Sequence, residues 1–173
     1  MNTTSKKSQA VVYLDEDDMS SNSTIQAPTQ QSIKAYVDTV AEGLHVLTPV
    51  HVASSNTMTI GESGTYWTYA NGTAGVDATL TYNTNAASSD SAHTTFFDGQ
   101  TLVGGAEGTG ERVLVKDASN TIQNGIYYCS SAGGVSARVV LTRTTDFDSN
   151  IEIRLGDFVF CESGTANAGS GFV

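Results

Sequence analysis

The chain has 173 residues, a length sufficient for one domain plus an extension. Its formal net charge is −10, and only 15% of its residues are charged. No Lys or Arg occurs from Ala35 to Glu111, and such an acidic surface repels phosphate, which argues against binding to nucleic acid. No apolar run is long enough to cross a bilayer.

The N-terminal segment is polar apart from one short apolar run. Residues Met1–Gln9 lack the pattern of a signal peptide, so we expect synthesis in a cytoplasm. The apolar run is followed directly by Asp15–Asp18, which we interpret as a solvated turn. The run either docks as an added strand on a partner or joins a sheet of this chain, and we expect residues 1–25 to be disordered without a partner. The run consists of Val11, Val12, Tyr13 and Leu14.

One α-helix is predicted near the N-terminus. Thr29 is a suitable N-cap, residues 30–42 contain neither Gly nor Pro, and Gly43 is a typical C-terminal stop. Apolar residues recur at alternating spacings of four and three, the narrow seam typical of oligomeric helices. Such a short helix needs a partner, and we favour other copies of the chain over its own β-domain. The seam residues are Ile33, Val37, Val40, Leu44 and Leu47.

The rest of the chain has the rhythm of a β-domain, in which short strands alternate with turn sequences. We predict a mainly β protein whose antiparallel sandwich or barrel-like domain follows the helix. The predicted strands include His51–Ala53, Met58–Ile60, Tyr66–Tyr69, Thr79–Tyr82, Arg138–Leu141 and Asp157–Cys161.

The clearest local prediction is a pair of strands within residues 110–129. Val113–Val115 lie between charged residues, and Ile126–Cys129 are β-branched and aromatic residues that favour strands. Asn124-Gly125 supplies the turn. Cys129 and Cys161 lie in separate predicted strands and are interpreted as small buried residues, although the spacing leaves a disulfide open.

No pattern in the sequence identifies a catalytic or cofactor site, and we predict no cofactor and no metal. The glycine-rich loop 104–110 lacks the Lys-Ser/Thr of a phosphate loop and leads into a strand. The stretch from Asp146 to Asp157 begins like a calcium loop, but Ile151 stands where the turn requires Gly. We therefore predict a capped turn there. The remaining candidates share no motif: three histidines (His45, His51, His93), an aromatic group (Tyr66, Trp67, Tyr69, Tyr82) and three carboxylates (Asp77, Asp90, Asp98).

Four motifs, in order over roughly the last half of the chain, resemble a module of bacteriophage tail fibres and other viral fibre proteins. Residues 32–38, Ser-Ile-Lys-Ala-Tyr-Val-Asp, also resemble a segment that often precedes this module. The motifs are Phe97-Asp98-Gly99-Gln100-Thr101-Leu102-Val103, Gly110–Asp117 with Gln123–Tyr127, Leu141–Asp146, and Phe158–Asn167.

The resemblance implies a structural virion component without enzymatic turnover, a tail fibre that supports host attachment. It implies a homotrimer joined through the helix, with residues 1–27 attaching to other virion proteins, either a tail adaptor or nozzle or the capsid. Residues 28–47 would form the helix and 48–173 the fibre domain, located in the virion tail or on the capsid surface. The alternatives are a capsid fibre or decoration protein and, less favoured, a glycan depolymerase.

The resemblance also implies that the polypeptide continues beyond Val173 in the complete fibre. Any contact with a host surface glycan would then fall in the distal part. We expect neither nucleic-acid nor membrane partners.

Overall fold

The computed structural model describes residues 12–43, 45–61, 66–86 and 90–173, with only the backbone described at positions 41, 42, 91 and 92. The chain divides into two compact units, Met1–His45 and Val46–Val173. The predicted N-terminal segment and helix therefore belong to one unit. Residues 1–11, which include Val11, lie outside the described part.

The first unit contains two short strands and the predicted helix. Strand β1 (Tyr13–Leu14) pairs in parallel with β2 (Ala27–Pro28), and helix α1 follows at Gln30–Glu42. Thr29 caps α1 as predicted, because its Oγ1 accepts a hydrogen bond from the Ser32 backbone N–H at 3.1 Å.

The second unit carries the sheets, after β3 (His45–Val46), which spans the boundary between the units. A one-turn helix, α2 (Ser91–Thr94), and a 3₁₀ turn (Thr121–Gln123) lie between strands. The strands are β4 (Val52–Ala53), β5 (Trp67–Ala70), β6 (Thr79–Tyr82), β7 (Arg112–Val115), β8 (Gly125–Gly134), β9 (Ala137–Arg143), β10 (Asp157–Phe160) and β11 (Gly171–Phe172).

The main sheet has six strands in the order β4-β7-β8-β9-β6-β5, and a smaller sheet has the order β11-β10-β3. All neighbours in the main sheet are antiparallel except β4 and β7. In the β7–β8 pair, Val113 lies opposite Tyr127. These features confirm the predicted β7–β8 pairing and the mainly β fold with one short N-terminal helix.

The second unit has two apolar clusters, and successive residues of a strand alternate between them because their side chains point to opposite faces. Val113 and Tyr127 belong to the larger cluster, while the adjacent Ile126 belongs to the smaller one. The smaller cluster also contains Val159 of β10, so the smaller sheet packs on one face of the main sheet.

Candidate functional sites: motif-bearing loops and the surface of the N-terminal helix

The first motif meets the second through Val103 and Glu111, whose backbone N–H groups donate to the Glu111 carboxylate at 2.8 Å and to the Val103 carbonyl at 3.0 Å, respectively. The Asp-Gly turn of the first motif meets the last motif. Asp98 is 4% exposed, and its carboxylate accepts hydrogen bonds from the backbone N–H groups of Ala166 at 3.0 Å and Asn167 at 2.8 Å. The Thr165 N–H donates to the Asp98 carbonyl. A Cβ at Gly164 would lie 2.2 Å from the Asp98 carboxylate, so the loop needs glycine there.

The second motif meets the third through a two-bond ion pair. Both guanidinium NH₂ groups of Arg112 donate to Asp146, each at 3.0 Å. Partial burial acts to raise the pKa of Asp146, but hydrogen bonds from Arg112 and Thr144 and the Arg112 charge outweigh it, so that the pKa lies below its ordinary value. This fork geometry fixes the loop after β9 against β7.

Arg143, in the same third motif, holds the turn that leads into β8. It is 7% exposed, and its NH2 group donates to the carbonyls of Ile122 at 2.9 Å and Asn124 at 3.0 Å. Its guanidinium lies 5.3 Å from the Tyr127 ring centre, a cation–π arrangement. Burial raises the pKa of Tyr127 to about 12, and its hydroxyl donates to a backbone carbonyl of the same turn at 2.6 Å.

A buried serine, Ser54, links the end of β4 to the residues that follow β7. Its hydroxyl donates to the Asp117 carboxylate at 2.9 Å and accepts the Lys116 N–H at 3.0 Å. The Asn167 side chain donates to the Ser54 carbonyl at 3.4 Å. Four charged residues of the motifs, Asp98, Arg112, Arg143 and Asp146, thus bind backbone groups or each other.

The predicted apolar seam of α1 lies mostly at the surface. The exposed fractions of Ile33, Val37 and Val40 are 46%, 55% and 59%, and Ser32 is the buried residue among the described side chains of the helix. Leu44 lies outside the described residues.

Leu47 differs from the prediction, because α1 ends at Glu42 and the chain then enters β3. Leu47 is 7% exposed and belongs to the smaller apolar cluster of the second unit. Its N–H donates to the Phe158 carbonyl at 2.8 Å. The four-three spacing continues past Gly43 in the sequence, but the helix ends at Glu42. Leu47 therefore does not lie on the same helix face as Val37 and Val40.

The predicted attachment run is partly integrated into the first unit. The Leu14 carbonyl accepts the Thr29 N–H at 3.1 Å, and the Asp15 carboxylate accepts the Thr29 hydroxyl at 2.7 Å. The expectation of disorder over residues 1–25 is therefore wrong for the described part, because these bonds tie β1 to the start of α1. Val12 and Tyr13 remain exposed, at 59% and 65%.

Several of the aromatic, histidine and cysteine candidates from the sequence are buried. Trp67, Tyr82 and His93 are buried and packed edge to face, and Tyr66 is exposed. Cys129 and Cys161 are buried free thiols in different apolar clusters, and burial raises the pKa of Cys129 to about 12.

The stretch that begins like a calcium loop is a capped turn. The Glu152 carboxylate accepts the N–H groups of Asp148 and Ser149, each at 3.1 Å. The Asp157 carboxylate accepts the Arg154 N–H at 2.7 Å. Within the described ranges, no three metal-ligating side chains are placed to hold an ion. No helix in that part of the chain is long and apolar enough to span a membrane.

Comparison of the chain with protein-family models, with curated proteins and with solved structures gave no match.

Sequence reasoning did not find the partners of Asp98, Arg143 and Ser54. The Asp98–Asn167 contact joins residues 69 positions apart, and no local pattern indicates such a pairing. The only available signal was the order of the motifs, which placed Asp98-Gly99 and Gly164–Asn167 in one module.

Proposed function

We propose that this chain is a structural subunit of a virus-particle fibre, most simply a phage tail fibre, and that it works without catalytic turnover. The observation that carries the proposal is the exposed apolar strip of α1, formed by Ile33, Val37 and Val40. In a helix of 13 residues, such a strip is stabilised by association with other helices.

The side chains of the strip favour more than two helices. The spacing places Ile33 and Val40 at d positions of a heptad and Val37 at an a position. All three of these residues are β-branched. β-branched residues at both positions shift parallel coiled coils from dimers towards higher states. Together with the resemblance to fibre proteins, this supports a homotrimer.

The roles found for the motif residues also support a structural function. The most deeply buried of the candidate carboxylates, Asp98, is occupied by backbone N–H groups, so it is poorly placed to act as an acid or base on a substrate. A glycan depolymerase needs a pair of carboxylates facing a cleft. Loss of capsular polysaccharide in an assay with the purified chain would favour the enzyme over the structural proposal.

The trimer is tested with Val37→Asp and the matched control Gln31→Asp, which adds the same charge on the opposite side of α1. Light scattering at concentrations well above micromolar should give three times the 18.1 kDa chain mass for the wild type and the control. Val37→Asp should be monomeric, because three carboxylates would meet at one axis. A monomeric wild type, or equal masses for the two variants, contradicts the proposal.

Attachment is tested with Val12→Ser/Tyr13→Ser, which keeps the β1–β2 backbone pairing and the Asp15–Thr29 bond. We expect a trimer that is absent from purified virus particles, since the exposed apolar groups would supply the docking contact. Immunogold labelling of wild-type particles separates a tail position from a capsid position. Particles that carry the double variant at the wild-type level would exclude Val12 and Tyr13 as the attachment site.

A further inference from the structure

The turn between β5 and β6 begins with an Asn-Gly pair at the protein surface. Asn71 and Gly72 are both exposed, and they directly follow the last residue of β5. In an Asn-Gly sequence the glycine nitrogen can attack the side-chain amide carbon of the asparagine, because no side chain on the glycine obstructs the five-membered ring that forms. The exposed pair is therefore a chemically reactive part of the fold.

The side-chain oxygen of Asn71 is held by a hydroxyl group. The Tyr69 hydroxyl donates a hydrogen bond to Asn71 Oδ1 at 2.9 Å. Attack on the amide carbon places negative charge on this same oxygen, and a hydrogen bond to a charged acceptor is stronger than one to a neutral acceptor. The Tyr69 hydroxyl is thus positioned to stabilise the charge that develops during the attack.

A second donor acts on the peptide group that supplies the attacking nitrogen. The Gly75 N–H donates to the Asn71 carbonyl oxygen at 2.9 Å, and this carbonyl belongs to the same peptide group as the Gly72 nitrogen. The hydrogen bond polarises the group and so favours loss of the Gly72 proton. Among the residues that the structure describes, none accepts a hydrogen bond from the Gly72 N–H. No bond to that part of the chain has to break before water removes the proton.

The turn itself requires glycine at position 72. Gly72 has φ of +54°, and a Cβ there would lie 2.0 Å from the Val76 carbonyl oxygen. A residue with a side chain would therefore strain the turn. The backbone geometry thus keeps the reactive glycine next to Asn71.

The sequence contains a second Asn-Gly pair, Asn124-Gly125, in a different setting. Gly125 is buried, begins β8 and lies opposite Val115 of β7. The Asn124 side-chain oxygen accepts the Ala118 N–H at 2.9 Å. Ring closure at Asn124 would pull the first residue of β8 out of the sheet, whereas ring closure at Asn71 changes only a surface turn.

We propose that Asn71-Gly72 is a self-modifying site, at which Asn71 loses its side-chain amide with the assistance of the Tyr69 hydroxyl. The Gly72 nitrogen gives its proton to water and bonds to the Asn71 amide carbon. The bond from this carbon to the side-chain nitrogen then breaks, and that nitrogen takes up a proton and leaves as ammonia. Water opens the resulting succinimide ring and leaves aspartate or isoaspartate at position 71.

The reaction changes both the charge and the backbone of the turn. Either product is ionised at neutral pH, unlike Asn71, and isoaspartate also lengthens the backbone by a methylene group. The extra length falls at the peptide group whose carbonyl accepts the Gly75 N–H, so isoaspartate should loosen the turn between β5 and β6. Water is the only co-reactant, and the site is independent of the proposed role in a virus particle.

The test follows the folded wild-type chain during warm incubation at neutral pH. Peptide mass spectrometry measures the conversion of each Asn-Gly pair, and methylation by an isoaspartate-specific methyltransferase identifies isoaspartate. We expect Asn71 to convert at least about tenfold faster than Asn124, because opening of the β7–β8 ladder adds to the barrier at Asn124. Equal conversion at the two positions, or faster conversion at Asn124, overturns the proposal.

Incubation in concentrated guanidinium chloride separates the effect of the fold from that of the local sequence. Both pairs then belong to an unfolded chain, so their rates should approach each other. An advantage of Asn71 that persists unchanged in the denaturant contradicts the proposal, since the reactivity would then not depend on the Tyr69 and Gly75 contacts.

The role of the hydroxyl is tested with Tyr69→Phe, which keeps the ring that packs against the larger apolar cluster. The variant should slow conversion at Asn71 by about 3- to 10-fold, the rate equivalent of one hydrogen bond of ordinary net strength. Conversion at Asn124 in the same sample should not change and serves as the internal control. A rate at Asn71 equal to or above that of the wild type refutes assistance by the hydroxyl and, with it, the proposal.

Discussion

The two units of the chain differ in where their apolar side chains lie. In Val46–Val173, Trp67 and Leu80 are fully buried in the larger apolar cluster. In Met1–His45, the apolar residues of α1 remain about half exposed. The comparison shows that the β-rich unit has its own core, whereas the apolar strip of α1 stays about half exposed within its unit.

The difference also appears in the polar contacts. The β-rich unit joins distant segments through buried groups such as Asp98, Ser54 and Arg143. The first unit is held mainly around the start of α1, where Asp15 binds Thr29. Substitutions in the two units should therefore affect different measurements, namely unfolding in one and assembly in the other.

The largest effect on folding stability is expected from Trp67→Ala. Trp67 has 0% exposure and packs against Tyr82, Phe96 and Phe97 with ring centres 5.2–5.9 Å apart. Truncation of a buried aromatic residue leaves a cavity and should lower the free energy of unfolding by about 3–5 kcal/mol. Urea unfolding followed by circular dichroism measures this loss. A loss below about 1 kcal/mol would mean that the cluster is not the core of this unit.

An intermediate effect is expected from Asp98→Ala, which leaves the N–H groups of Ala166 and Asn167 without their carboxylate. We expect a loss of about 2–3 kcal/mol in the free energy of unfolding. Asp98 has φ of +50°, so Asp98→Gly is the matched control that removes the carboxylate without backbone strain.

Asp98→Gly should retain most of that loss if the hydrogen bonds are its cause. Asp98→Asn keeps one acceptor oxygen and should fall between the wild type and Asp98→Gly. If Asp98→Gly is as stable as the wild type, the carboxylate contacts contribute little and backbone strain explains the alanine variant.

The smallest effect is expected from Val37→Ala in the monomer. Val37 is 55% exposed, so truncation should change the free energy of monomer unfolding by no more than about 0.5 kcal/mol. At concentrations at which the wild type assembles, Val37→Ala should associate more weakly than the wild type. Unfolding curves at two concentrations, one below and one above the assembly range, separate these effects. A loss of 2 kcal/mol or more at the low concentration would show that the strip packs within its own chain.

Much of the local structure was predictable because its causes are local. Thr29 caps α1 through a bond to a residue three positions away, and Gly43 stops it, so both signals lie within one turn of the helix. The β7–β8 pair was predictable from its two apolar segments. The predicted turn at Asn124-Gly125 is wrong, because Asn124 has extended backbone angles and Gly125 already belongs to β8, so the connection runs through the 3₁₀ turn at Thr121–Gln123. Leu47 was assigned to the wrong surroundings, since its spacing fits the seam only if the helix continues.

The sequence by itself determined the mainly β class, the start of α1 at its Thr29 cap and the apolar repeat of Ile33, Val37 and Val40, because each depends on neighbours or on a short repeat. Only the tertiary structure decided that Asp98 binds the loop at Asn167, that β4 lies parallel to β7, and that Arg112 pairs with Asp146. The physical reason is distance along the chain. Burial and hydrogen bonding of these groups depend on segments whose approach is set by the packing of whole sheets, and no residue pattern within one segment records it.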